Sequence, residues 1–179
     1  MRTKAFTHHQ HNTGFTLIEL MVTLVVLGIV MSVAIPSFTG MLTQNSVVEA
    51  SNRLVSAVQF VRSESIKRNS PTALGSNTSR KWHEGWKVYA GNLTGSDVAG
   101  AEDTLIRVYD SSLDSVTING NSHAGTWLSF FANGMLNEDA DGIFHICNGD
   151  DASTGRIVTV DRGGRTRVDN IPGGGSCTP

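Results

Sequence analysis

Four arginines near the C-terminal end, Arg156, Arg162, Arg165 and Arg167, are the residues of this chain best suited to chemistry. Gly163-Gly164 between them is a turn signal, so residues 156–161 and 165–169 read as the two arms of a β-hairpin. Side chains two apart on a strand face the same side, which puts Arg165 and Arg167 together, with Arg162 at the turn. Planar guanidinium groups arrayed in that way match consecutive phosphates. Contacts of that kind ignore base sequence and weaken with salt. The competing reading is a solvated hairpin whose arginines pair with Asp161 and Asp169.

No other group of side chains carries a comparable signal. Asn137, Asp139, Asp141 and Gly142 copy the start of a calcium loop, but Asn148 stands where the loop needs a bidentate Glu. That stretch is read as a solvated acidic loop. His8, His9 and His11 cluster near the start, and His83, His123 and His145 are scattered. The chain has no Ser-His-Asp or Cys-His arrangement, no P-loop and no zinc spacing. Catalytic residues, a metal site and a cofactor are therefore not expected, and the chain is not read as an enzyme.

The elements that must position the arginines follow from charge and hydropathy. The chain has 179 residues, 39% hydrophobic and 17% charged, so it can build one modest core and is not disordered throughout. Its net charge of -2 excludes a generally basic nucleic-acid binder and leaves room only for a local basic patch. Residues 1–14 are polar and include Arg2 and Lys4. From Phe15 to Phe38 the one ionisable side chain is Glu19. A helix of that length covers roughly 36 Å, enough for a bilayer core of about 30 Å. The cations in front of it place the start of the chain in the cytoplasm and the remainder across the membrane. A carboxylate in such a span costs at least about 2.5 kcal/mol and marks a functional position, unless Glu19 is simply protonated near the interface.

Over residues 39–70 the pattern becomes amphipathic. Val47, Ala50, Leu54, Ala57, Val58 and Val61 form one apolar stripe, and Glu49, Arg53, Arg62, Glu64, Lys67 and Arg68 lie mostly off it. Ser70-Pro71 ends the helix. Beyond it, in residues 71–179, short apolar runs alternate with Gly, Asn, Asp and Ser clusters. The runs are 86–89, 105–109, 116–118, 127–131, 144–147 and 156–160. The expected fold class is α+β: a long N-terminal helix packed through its stripe on antiparallel sheet. Cys147 and Cys177 are the two cysteines. In an exported domain they pair, closing a loop that contributes roughly 3 to 4 kcal/mol in the chain-entropy model. In a reducing cytosol they stay thiols. Pairing is expected to tie the Gly173-Gly174-Gly175 tail beside the arginine hairpin.

Gly14-Phe15-Thr16-Leu17-Ile18-Glu19-Leu20, with a basic leader before it and an uncharged run after it, resembles the processing site of type IV prepilins. Pro36 falls where pilins carry a helix-bending proline. Residues 48–54 and 59–69 look like the second half of the long helix in the GspH/FimT group of minor pilins and pseudopilins. Residues 130–134 and 144–147 look like the C-terminal half of that group. The resemblance implies the type IV pilin fold and a leader, residues 1–14, cut after Gly14 by a prepilin peptidase that methylates Phe15. It implies that Glu19 aligns subunits with other pilins, and that the chain passes from the inner membrane, its C-terminal domain periplasmic, into a filament. Gly164-Arg165-Thr166-Arg167 also resembles the motif with which FimT-like minor pilins contact double-stranded DNA during natural transformation. This implies a DNA role for Arg165 and Arg167, and for Arg162 by proximity. The alternatives are a GspH-like pseudopilin of a type II secretion system and a minor pilin acting in priming or adhesion.

Overall fold

The computed structural model describes residues 14–78, 81–91, 104–110 and 115–179, without the side chains of 34–39. Residues 1–13 of the proposed leader, with its histidines, and the side chain of Pro36 lie outside the described residues. Helix α1 is Leu17–Arg68. The chain divides into two compact units, Met1–Gly40 and Met41–Pro179.

In the first unit the apolar side chains are exposed on every face of the helix, from Leu17 and Ile18 through Leu24 and Val25 to Val33. Thr16 begins it: its Oγ1 accepts from the Glu19 N–H at 3.2 Å, which places Glu19 in the first turn, at the positive end of the helix dipole. Among the described residues no helix is long and apolar enough to cross a membrane, the described side chains of the apolar run ending at Val33.

In the second unit the stripe does what its spacing requires. Val47, Ala50, Leu54, Ala57, Val58 and Val61 are buried and belong to one core with side chains of both sheets. The helix ends where Asn69 takes a left-handed conformation, φ 48°, and the Ser70 N–H reaches back to the Ser65 carbonyl at 3.2 Å. The Thr72 hydroxyl then donates to the Val61 carbonyl at 2.9 Å and starts the first strand beneath the helix.

Among the described residues eight strands follow: β1 (Thr72–Thr78), β2 (Lys81–Ala90), β3 (Thr104–Asp110), β4 (Val116–Gly120), β5 (Trp127–Phe130), β6 (Gly142–Asn148), β7 (Asp151–Val160) and β8 (Thr166–Asn170). They make two antiparallel sheets, ordered β3-β2-β1-β5 and β4-β6-β7-β8. The chain changes sheet three times, between β3 and β4, between β4 and β5 and between β5 and β6. Trp82 holds the centre of the core: it is fully buried, meets Phe144 edge-on at 5.1 Å and donates from Nε1 to the carbonyls of Ala124 (2.9 Å) and Gly125 (3.0 Å). The stretch that copies a calcium loop is not a loop at all beyond Asp141. Residues 142–148 are β6, and Asn148 closes that strand opposite Val116.

Cys147 and Cys177 are joined, with Cα atoms 6.0 Å apart. The tail starts beside the hairpin, as pairing of the cysteines implies, but at the end away from the turn, where the Ile171 N–H donates to the Gly155 carbonyl at 3.0 Å. It leaves β8 where Asn170 pairs with Arg156, at the open end of the hairpin. It then crosses β6 and β4, where Asn119 Nδ2 donates to the Cys177 carbonyl (2.9 Å) and His145 Nδ1 meets the Ser176 carbonyl (2.7 Å). Burial of Ile171 against the disulfide draws it there.

Glu64 is buried at the helix end and takes Arg68 Nε at 2.7 Å and Lys67 Nζ at 3.3 Å. The bond from Arg68 holds its carboxyl below the ordinary value of 4.5, with Lys67 acting in the same direction. A lowered native pKa contributes stability that is present above the unfolded value and lost as pH falls through the native one. Glu64→Gln is expected to cost about 0.3 to 0.5 kcal/mol per ion pair at neutral pH. It should also shallow the loss of stability on acidification below 4.5. Urea unfolding at pH 7 and across the acid range checks this; identical acid limbs for the two proteins count against it.

Candidate functional site

The arginine hairpin is formed by β7 and β8, with Val160 opposite Thr166 and Thr159 opposite Arg167. Asp161 closes it. Its N–H donates to the Arg165 carbonyl (2.9 Å), its carbonyl accepts from the Gly164 N–H (2.8 Å), and its Oδ1 accepts from the Arg165 N–H (2.8 Å). The turn is seated on the rest of the unit. The Leu136 N–H donates to the Arg162 carbonyl at 3.0 Å, and Gln59 Nε2 to Thr166 Oγ1 at 3.4 Å. Gly164 is buried, with φ +74°, against the Gly134 carbonyl and the Arg62 side chain, and Arg62 Nε itself donates to that carbonyl at 3.1 Å.

Arg165 and Arg167 project from this base into solvent, their side chains 81% and 75% exposed. They border one groove together with Asp141, Thr159, Asp161 and Thr166. Arg162 is also exposed, at the turn. Arg156 is not part of this face: on β7 it shares the parity of the buried Val158 and Val160. Each groove arginine meets a carboxylate, Arg165 with Asp161 at 3.3 Å and Arg167 with Asp169 at 2.8 Å. Exposed pairs of this kind contribute at most about 1 kcal/mol. A phosphate can therefore displace the aspartates, at the cost of facing three nearby negative charges, Asp141 included.

Glu19, Gly14 and Phe15 lie in the other unit, at the start of α1, and Glu19 is exposed. Sequence reasoning missed Arg62, Gln59, Gly134 and Asp141. Arg62 reads as a solvated cation off the helix stripe, yet it supports the turn. Its signal would have been the pair of glycines, Gly134 and Gly164, both with positive φ and both against residues 62–66 of the helix. A second convergence lies elsewhere, where His123 Nδ1 meets Asp139 Oδ1 at 3.3 Å and Glu138 Oε2 at 3.9 Å. Burial pushes the Glu138 carboxyl up, against the opposing pull of His123.

This helix, seated on two antiparallel sheets and preceded by an exposed apolar segment, is the arrangement of a pilin-like subunit. Residues 50–164 match the family model described as Type II transport protein GspH, and the chain belongs to that family. Residues 9–35 match the prokaryotic N-terminal methylation motif. Two crystal structures of the type IV minor pilin FimU from Pseudomonas aeruginosa share the fold at 23% identity. One has a TM-score of 0.61 over 74% of this chain and 92% of that chain, the other 0.57 over 72% and 94%. No curated protein matches the chain. The family match ends at Gly164, so Arg165 and Arg167 stand outside it.

Proposed function

We propose that the chain is a minor pilin that enters a type IV pilus and contacts the phosphates of double-stranded DNA through Arg162, Arg165 and Arg167 during DNA uptake. The observation that carries the DNA reading is the exposure of Arg165 and Arg167 on one groove, over a turn fixed from behind by Arg62, Gly134 and Leu136. The proposed path into the filament begins at the inner membrane. A helix apolar on every face needs lipid or neighbouring subunits around it, which supports anchorage through residues 15–38. The methylation motif supports cleavage after Gly14 and methylation of Phe15 by a prepilin peptidase. Glu19, in the first turn of an otherwise uncharged segment, is the group that would seek the new amine of a neighbour and align subunits.

A second reading is a structural pseudopilin of a secretion system without DNA binding. The pairing of both groove arginines with aspartates favours it. Titration of duplex DNA against the full chain in detergent, at several salt concentrations, separates the two. Salt-sensitive binding supports the DNA-uptake pilin, and no binding moves the assignment to the pseudopilin.

A further inference from the structure

We propose that His123, Glu138 and Asp139 bind one divalent cation of the zinc type. The three ligand atoms lie within 4.8 Å of one another, on two separate segments. His123 belongs to the 3-10 turn Ser122–Ala124 that links β4 to β5, and Glu138 and Asp139 to the link from β5 to β6. Tetrahedral zinc with N and O ligands needs ligand atoms about 3.4 Å apart. The Nδ1 to Asp139 distance of 3.3 Å meets this already, and Glu138 at 3.9 Å needs only a small rotation.

Both segments are held in place without the ion. Trp82 fixes the carbonyls of Ala124 and Gly125, next to His123. Asn121 joins the two links. Its Oδ1 accepts from the N–H groups of Ala124 (3.0 Å) and Ile143 (3.2 Å), and its Nδ2 donates to the Asp141 carbonyl (3.0 Å). One imidazole with two carboxylates is a borderline donor set, suited to zinc rather than to calcium, which takes oxygen ligands. Two carboxylates drawn together beside one imidazole are also balanced by a doubly charged ion. Both links carry the chain from one sheet to the other, so the cation would clasp two of the three crossovers. The sequence expectation of no metal site rested on spacing, and the intervening strand β5 hides this convergence from any local pattern.

The test uses the full chain in detergent with His8, His9 and His11 changed to Asn in every protein, so that this cluster cannot take up metal. Zinc is added to chelator-treated protein and followed by calorimetry and thermal unfolding. The expected result is one equivalent bound and a Tm rise of roughly 5 to 11 °C at a hundredfold excess over Kd. His123→Ala and Asp139→Asn should each weaken binding at least about tenfold. Asp139 is 90% exposed, so its variant keeps the fold. No uptake, uptake unchanged in either variant, or an equal Tm rise with calcium overturns the proposal.

Discussion

Changing Arg165 and Arg167 together to Gln is expected to lower the affinity for duplex DNA between about tenfold and a hundredfold at 0.1 M salt, and to flatten its salt dependence. Each phosphate neutralised releases counterions worth about 0.9 in the slope of log K against log salt. Two lost contacts therefore lower that slope by roughly two, and over one decade of salt this gives the range above. The lost ion pairs with Asp161 and Asp169 are exposed and change the count little. Their carboxylates, left unmatched, deepen the loss by repelling the backbone. The fold should not suffer, because both side chains stand in solvent and the Arg165 N–H keeps its bond to Asp161. Replacement by Lys should preserve the slope and give up part of the affinity, since a point charge cannot grip two phosphate oxygens as a guanidinium does. Fluorescence anisotropy at four or five salt concentrations measures both quantities. An unchanged slope in the Gln variant would mean that these arginines do not touch phosphate, and the pseudopilin reading would then stand.

Much of this molecule is legible in its sequence, for reasons that differ by element. The helix stripe is legible because burial on one face imposes its period on Val47 to Val61. Strands β2 to β7 are legible because apolar runs meet glycine and asparagine breaks. Strand β1 escapes, because Thr72-Ala-Leu-Gly-Ser-Asn-Thr78 is small and polar, and its place between β2 and β5 comes from pairing rather than from side chains. The hairpin is announced by Gly163-Gly164, yet nothing local says that the turn docks on Arg62. Glu64 reads as a surface charge and is buried, paired with Lys67 and Arg68 one helical turn further on. Contacts between distant segments are what sequence periodicity cannot carry, and both the seat of the turn and the His123 cluster are contacts of that kind.

The glycine of the arginine motif should matter as much as the arginines, and for a different reason. Gly164→Ala is expected to destabilise the chain by about 2 to 4 kcal/mol, measured by urea unfolding. The backbone at φ +74° alone disfavours any residue with a Cβ, at about 1 kcal/mol. The added methyl group then meets the Gly134 carbonyl oxygen, Arg62 Nε (2.9 Å) and Arg62 Cδ (3.1 Å). Arg62 is a flexible side chain and can move, but doing so breaks its bond to the same carbonyl. Gly134 is itself held in a tight turn, with φ +78° and its N–H donating to the Phe131 carbonyl at 2.9 Å. Relief must come from the hairpin, which lifts and carries Arg162, Arg165 and Arg167 away from their seat. Gly149→Ala separates the two costs, since Gly149 has φ +57° and open space around it, and should lose only about 1 kcal/mol. Equal losses at Gly149 and Gly164 would show that backbone conformation alone requires glycine in this turn. A larger loss at Gly164, recovered in part by Arg62→Ala in the same chain, would show that the turn is held by its contact with the helix.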